Sequence, residues 1–178
     1  FDTRYAKEII KNEIGERSSR DIISIDEPVA AASIAQVHFA KVKIKNNEKE
    51  LAIKILRPNI HKIVNEELDA LMFLAYLIEN LFKKTKRLKL VEVIFLLKEI
   101  TNVEMDLRFE AAAASELYEN TKKDNFIKVP KIYWNLTSKQ TLALDKVDSI
   151  SIRDLDSLKK ANIDLKKLSR NLIQLFLK

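Results

Sequence analysis

The chain of 178 residues contains no cysteine, three prolines and a single glycine, Gly15. The absence of cysteine excludes disulfides and thiolate chemistry, and it is compatible with a reducing compartment. The longest uninterrupted apolar run, residues 70–78, is far shorter than the roughly 20 residues of a membrane-spanning helix, so we expect no bilayer crossing by this chain alone. Because the first residue is Phe1, we expect a piece of a longer protein.

The charge balance of the chain is positive. The formal net charge is +6 and the pI is near 9.3, which raises the possibilities of nucleic acid and of an anionic membrane. Acidic residues are interleaved with the lysines along the chain, as Glu92 is in KKTKRLKLVEV, and we interpret the lysines as parts of solvated faces. The lone Trp134 and scattered aromatic residues offer no stacking platform, so no nucleic-acid partner is expected.

Hydrophobic periodicity predicts an α+β fold. Helical spacing precedes Gly15, which we expect to end the first helix, and the β-forming segments IAQVHFAKVKI and ELAIKIL flank a predicted turn at residues 46–49. A helix at residues 65–82, apolar nearly all round, is expected to be buried, and residues 85–90 interrupt it. The remaining expectations are one very long helix or two abutting ones at residues 90–123, strands at 21–26, 131–136 and 141–147, and a helical tail broken near Asn162.

A lysine and several acidic residues stand out. Strand alternation places Ala52, Lys54 and Leu56 on one face, where a lysine ordinarily extends its ammonium group to the edge of the sheet. The functional alternative is a lysine on nucleotide phosphates, held by a helical glutamate. The candidates are Glu104, Asp106 and Glu110, of which Glu104 has the spacing to pair with Arg108 on one helix.

The third candidate element is the alanine-rich stretch PVAAASIAQVH at residues 28–38. A loop between strands, a lysine on the next strand and a glutamate on a following helix is the arrangement of protein-kinase N-lobes, whose loop is normally rich in glycine. Alanine disfavours the positive φ angles that glycine tolerates, so this loop is expected to be stiffer.

Five segments in this order and spacing closely resemble the UbiB family of atypical kinase-like proteins of ubiquinone biosynthesis. They are PVAAASIAQVHFAKV, LAIKILRPNI, EMDLRFEAAAAS, VPKIYWNLTSKQTLALDKVDSIS and LKKANIDLKKL, and they cover nearly the whole chain. The AAASIAQVH stretch is specific to that family, whereas the AIK tripeptide alone is only a weak indicator of it.

The resemblance implies a role for each matching residue. Residues Ala30, Ala31, Ala32 and Ser33 resemble the loop over the nucleotide phosphates, Lys54 resembles the lysine of the third strand, and Glu110 its glutamate partner. Leu144, Asp145 and Val147 are similar to the hinge that meets adenine through its backbone, and Glu104 and Asp106 to an acidic motif facing an N-terminal extension. The sequence departs from the family pattern at Ala113, where asparagine is usual, at Asp145, where glutamate is usual, and at Ser149, where glycine is usual.

The resemblance also implies a division of the chain. We expect a partial N-terminal helical extension at residues 1–20, a kinase-like N-lobe at 21–150 and the start of a truncated helical C-lobe at 151–178. The family's H-x-D-x-H-P-x-N catalytic loop and its Asp-Phe-Gly-like metal segment are not in the sequence, so no catalytic residue or metal ligand is assigned. His38 and His61 are interpreted as structural.

The expected function is that of a fragment of an ATP-binding atypical kinase or ATPase that supports ubiquinone biosynthesis. The intact parent would use ATP and Mg²⁺, and we expect no catalysis by this chain alone. The alternatives are a non-catalytic, pseudokinase-like interaction module or a decayed reading frame, and an older description of such parents is polyprenylphenol hydroxylase. Beyond the nucleotide, the implied partners are ubiquinone-biosynthesis proteins or lipid intermediates.

The implied location is the cytoplasmic face of a bacterial inner membrane, or the mitochondrial inner membrane in a eukaryote. The fragment would be peripheral there, with membrane contact only through missing parts of the parent.

Overall fold

A computed structural model describes residues 2–177 of the chain. The elements, in chain order, are α1 (Thr3–Ser19), β1 (Ile22–Ala31), β2 (Ala35–Ile44), β3 (Asn47–Leu56), α2 (Ile60–Leu81), a 3₁₀ helix (Lys83–Leu88), α3 (Leu90–Glu104), α4 (Leu107–Thr121), a second 3₁₀ helix (Trp134–Leu136), β4 (Thr141–Asp145), α5 (Leu155–Lys160) and α6 (Leu165–Phe176). The predicted α+β class is confirmed, with helices on both sides of one antiparallel sheet. No helix among these residues is both long and apolar enough to cross a bilayer.

The four strands lie in the order β1-β2-β3-β4, and every neighbouring pair is antiparallel. The predicted β2–β3 hairpin is confirmed, but its turn is shorter than expected. Lys45 and Asn46 form the turn with φ angles of 47° and 72°, and Asn47 already pairs with Ile44. Two-residue hairpin turns need positive φ, and asparagine tolerates it better than most residues, so this hairpin closes without glycine.

The sheet has an apolar cluster on each face. Leu51, Ile53 and Ile55 of β3 point to the face covered by α1, where they pack with Ala6 and Ile10. Successive strand residues point to opposite faces, so Leu56 belongs to the other cluster. That second cluster joins the sheet to the start of α2 and to α4; its buried members are Ala35, Leu56, Ile60, Met105, Leu107, Ala111, Ile132 and Leu142.

Gly15 interrupts the first helix at the predicted place, although helical turns resume after it. Helix α1 continues to Ser19, and Gly15 makes a kink inside it with φ 78° and ψ 164°. A Cβ at Gly15 would meet no heavy atom within 4 Å, so glycine is needed here for its backbone angle and not for space.

Helices α2 and α3 form an antiparallel pair that we call the helical hairpin, joined by the 3₁₀ helix Lys83–Leu88. Lys98 Nζ of α3 lies 2.6 Å from Asp69 Oδ1 of α2, and the backbone N–H of Val91 donates to the Glu79 carboxylate at 3.2 Å. The prediction that residues 65–82 form a buried helix is wrong. Phe73, for example, is 70% exposed, because only the first turns of α2 reach the sheet cluster.

Two further segments test the predicted elements. The strand predicted at residues 131–136 is wrong in extent: Ile132 makes one isolated bridge to Leu144, and a 3₁₀ turn follows immediately. The predicted tail is confirmed, because α5 and α6 are separated by a break at which Asn162 has φ 54°.

Candidate functional site

A lysine–glutamate ion pair joins the sheet to α4. Lys54 Nζ lies 2.6 Å from Glu110 Oε2, and their side chains are 27% and 49% exposed. Strand alternation turns Lys54 toward the face that α4 covers, and Glu110 lies in the first turn of that helix. Because Ala111 is fully buried against the sheet cluster, α4 packs closely enough for the two charged groups to meet.

The alanine-rich loop connects β1 to β2. Ala30 and Ala31 are the last residues of β1, while Ala32, Ser33 and Ile34 form the turn. The N–H of Ala32 donates to the carbonyl of Ala35 at 2.8 Å, and the guanidinium of Arg57 donates to the carbonyl of Ala32 through Nε at 3.2 Å and Nη2 at 3.1 Å.

The loop has a defined shape without glycine. No residue of the turn has a positive φ, so alanine adopts this backbone without strain. Among residues 2–177, none accepts a hydrogen bond from the backbone N–H of Ser33 or Ile34. Two main-chain donors therefore remain available at the turn.

Asp106 forms the junction between α3 and α4. Its carboxylate caps α4 by accepting from the backbone N–H of Arg108 at 3.1 Å, and it also pairs with the Arg108 guanidinium at 2.6 Å. The hydrogen bond from the Arg108 side chain lowers the pKa of Asp106 below its usual value, although burial of the carboxyl acts in the opposite direction. The predicted intrahelical pair between Glu104 and Arg108 is wrong, because α3 ends at Glu104 and Arg108 turns to Asp106.

Three acidic side chains share one cavity beside the ion pair. Glu104, Asp106 and Glu110 line a space of about 350 Å³, together with Val103, Phe109 and Ala113. The three carboxylates that the sequence singled out are therefore brought to the same place, although Glu104 ends α3, Asp106 precedes α4 and Glu110 lies within α4.

The residues expected to form the hinge lie at the end of β4. Leu144 pairs with Ala52 of β3, Asp145 ends the strand and Val147 follows it with 44% exposure. The carboxylate of Asp145 accepts from Lys49 Nζ at 2.6 Å and from the Tyr133 hydroxyl at 2.8 Å.

This hinge network was not predicted from the sequence. Burial raises the pKa of Asp145, but the hydrogen bonds from Lys49 and Tyr133 outweigh it, so the net shift is downward. The hydrogen bond to Asp145, followed by that to Tyr133, raises the pKa of Lys49. Residue separations of 96 and 12 give no local signal for these contacts.

Neither histidine has a clustered set of metal ligands around it. His38 is fully buried with Nδ1 at 2.9 Å from the carbonyl oxygen of Asp26. Burial and the nearby charge of Lys139 lower the pKa of His61. Within the described part of the chain, no group of three or more His, Cys, Asp or Glu side chains is arranged to hold a metal ion.

An antiparallel sheet, a lysine on its third strand and a glutamate on a helix packed against it define a protein-kinase-like N-lobe. A comparison with protein-family models also finds a kinase-like domain, over the full length of the chain. The model of the ABC1 atypical kinase-like domain matches residues 1–178, and the chain belongs to that family.

Proposed function

We propose that this chain is the nucleotide-binding N-lobe of a UbiB-like, ATP-dependent protein that supports ubiquinone biosynthesis. The observation that carries the proposal is the ion pair between Lys54 and Glu110, at 2.6 Å. In kinases this pair must form before the lysine can hold the nucleotide phosphates. The pairing is thus the arrangement expected of a lobe that is ready to bind ATP.

The residues around the pair suit a triphosphate. An ammonium group has three N–H donors, so Lys54 retains donors for phosphate oxygens after it has bound Glu110. The loop residues 30–33 would cover the phosphates, with the N–H groups of Ser33 and Ile34 as further donors. The backbone of the segment containing Leu144, Asp145 and Val147 would meet the adenine.

The residues proposed for the nucleotide do not include a metal site. ATP is bound by kinases together with Mg²⁺, which neutralises charge on the phosphates. The described residues contain no group that fits a metal site, so no residue here is assigned to Mg²⁺. We also propose that the partners are proteins or lipid intermediates of ubiquinone biosynthesis. The proposed location is peripheral, at a bacterial or mitochondrial inner membrane.

Nucleotide binding is tested by titrating a fluorescent ATP analogue with Mg²⁺ into the chain and into two variants. We expect Lys54→Gln to weaken binding roughly tenfold or more, because it removes a charge-assisted contact to phosphate. The matched control is Lys43→Gln, an exposed lysine on β2, which should bind as the unmodified chain does. Equal affinity of Lys54→Gln and the control would contradict the proposal.

A non-catalytic, pseudokinase-like interaction module is the second candidate. The observation in its favour is the helical hairpin, whose apolar side chains are extensively exposed, as at Phe73 and Leu81. The two candidates differ in the titration above, since a pure interaction module would show no saturable ATP binding while remaining folded by circular dichroism.

A further inference from the structure

The loop that closes the helical hairpin carries a dense group of positive charges. We call residues 81–89 the hairpin tip. Five of the seven residues in the stretch KKTKRLK, at positions 83–89, are Lys or Arg. The hydroxyl of Thr85 donates to the carbonyls of Phe82 at 2.6 Å and Ile78 at 3.2 Å, so the tip is tied to the end of α2.

Three of these cations are available to an external partner. Lys84, Lys86 and Arg87 are exposed, and no carboxylate in the described part of the chain forms an ion pair with them. Lys89 differs, because it pairs with Glu92 at 2.8 Å. The tip therefore presents net positive charge that the chain does not neutralise itself.

Large apolar side chains lie between the cations. Leu81 is 65% exposed, Phe82 is 58% exposed and Leu88 is 54% exposed. Adjacent exposed apolar and cationic side chains are typical of protein segments that lie at the boundary between lipid headgroups and acyl chains. The cations attract anionic headgroups, and the apolar side chains gain by leaving water.

The tip lies far from the sheet. Helix α2 has 22 residues, and only Ile60 and Val64 at its start pack with the sheet cluster. At about 1.5 Å per residue, the helix carries the tip roughly 30 Å along its axis from that end. A surface that binds the tip would therefore leave the region around Lys54 accessible.

We propose that the hairpin tip docks on an anionic lipid surface. Leu81, Phe82 and Leu88 enter the headgroup boundary, and Lys84, Lys86 and Arg87 contact lipid phosphates. Nucleic acid is a poorer match, because two of the three exposed apolar side chains, Leu81 and Leu88, have no π-face on which a base could stack. The inference goes beyond nucleotide binding, which uses none of these residues, and it adds a membrane contact within this chain.

The first test is co-sedimentation of the chain with vesicles of equal parts phosphatidylcholine and phosphatidylglycerol. The triple variant Lys84→Gln, Lys86→Gln, Arg87→Gln should bind about a hundredfold more weakly, since each cation near an anionic surface contributes appreciably. The control removes the same charge elsewhere, with Lys159→Gln, Lys160→Gln and Lys166→Gln on α5 and α6. Equal losses in the two triple variants would overturn the proposal, because net charge alone would then explain binding.

The second test distinguishes insertion of the tip from nonspecific binding through the other exposed apolar side chains of the hairpin. Phe82→Ser should weaken vesicle binding about tenfold, whereas Phe73→Ser, which alters a 70% exposed phenylalanine midway along α2, should leave it unchanged. Circular dichroism and urea unfolding establish that each variant is folded.

Further results would also overturn the inference. They are no binding of the unmodified chain to the anionic vesicles, equal binding to vesicles of phosphatidylcholine alone, and equal losses in Phe82→Ser and Phe73→Ser. Preference of the tip for a DNA duplex over the anionic vesicles would also overturn it, in favour of a nucleic-acid contact.

Discussion

The sheet and the helical hairpin are both rich in large apolar residues, but they bury them to different extents. Leu51, Ile53 and Ile55 of β3 are at most 1% exposed. Helix α3 has no fully buried residue, and Phe95 and Ile100 are 56% and 50% exposed. The sheet has helices on both faces, whereas each hairpin helix contacts mainly the other.

This comparison separates two uses of apolar residues. Burial in the sheet stabilises the fold and fixes the strand that carries Lys54, because close packing holds side chains in defined positions. Exposed apolar residues contribute little to folding and are typical of surfaces that meet another molecule. The sheet therefore fixes the position of Lys54, whereas the exposed apolar side chains of the hairpin form the surface on which the proposed lipid contact depends.

The largest expected effect tests this difference with one substitution made in both regions. Ile53→Ala should lower the free energy of unfolding by about 3 kcal/mol, since it removes buried methyl groups and leaves a cavity. Ile100→Ala on the hairpin should lower it by less than about 1 kcal/mol, because Ile100 is half exposed already. Urea unfolding measures both free energies. Similar losses in the two variants would contradict the inferred difference in how far the sheet and the hairpin bury their apolar residues.

A smaller effect is expected at the junction between the two regions. Asp106 caps α4 where the hairpin ends, so Asp106→Ala should destabilise the fold by about 1 kcal/mol. Asp106→Asn keeps a capping oxygen but loses the charge that pairs with Arg108, and it should be less harmful. If the alanine and asparagine variants unfold at the same urea concentration, the cap contributes nothing.

The same junction has an expected pH dependence. The hydrogen bond from the Arg108 side chain lowers the pKa of Asp106 below its usual value in the folded chain, so folding favours the charged form. Its contribution is present above that value and is lost as the pH falls through the lower, folded pKa. The stability difference between the unmodified chain and Asp106→Asn should therefore shrink below about pH 4, measured by urea unfolding.

The smallest expected changes in stability come from exchanging alanine and glycine at two positions of the backbone. Ala32→Gly should destabilise the chain by about 0.5 kcal/mol, because Ala32 has no positive φ and glycine only adds freedom to the unfolded state. Gly15→Ala should destabilise it by about 1 kcal/mol or more, since φ 78° and ψ 164° lie in a region that is essentially confined to glycine. Thermal unfolding compares the two, and a stabilising Ala32→Gly would show that the alanine loop is strained.

Local patterns account for much of what could be predicted. The β2–β3 hairpin follows from alternating β-forming residues, and the break near Asn162 from the interruption of helical spacing. The placement of Ala52, Lys54 and Leu56 on one face follows from the two-residue period of a strand, which needs no knowledge of the rest of the fold.

The errors arose where burial depended on distant parts of the chain. Helical residues 65–82 are apolar nearly all round. The same pattern fits a helix buried in a core and a helix whose apolar surface stays exposed in this chain. Segment 131–136 has β-forming residues but only one bridge, because the backbone turns into a 3₁₀ helix at Trp134. The contact between Lys49 and Asp145 spans 96 residues, so no spacing rule could indicate it.

The sequence by itself determined the α+β class, the residues of the alanine loop and the candidate lysine and acidic groups, because periodicity and residue type are local properties. Residue patterns alone left three acids as candidates to pair with Lys54, the family resemblance favoured Glu110, and the tertiary structure shows how the contact is made. Packing of Ala111 against the sheet places Glu110 at 2.6 Å, while the end of α3 leaves Glu104 in the adjoining cavity. It also decided that the hairpin is exposed, because burial depends on which surfaces the folded chain brings together.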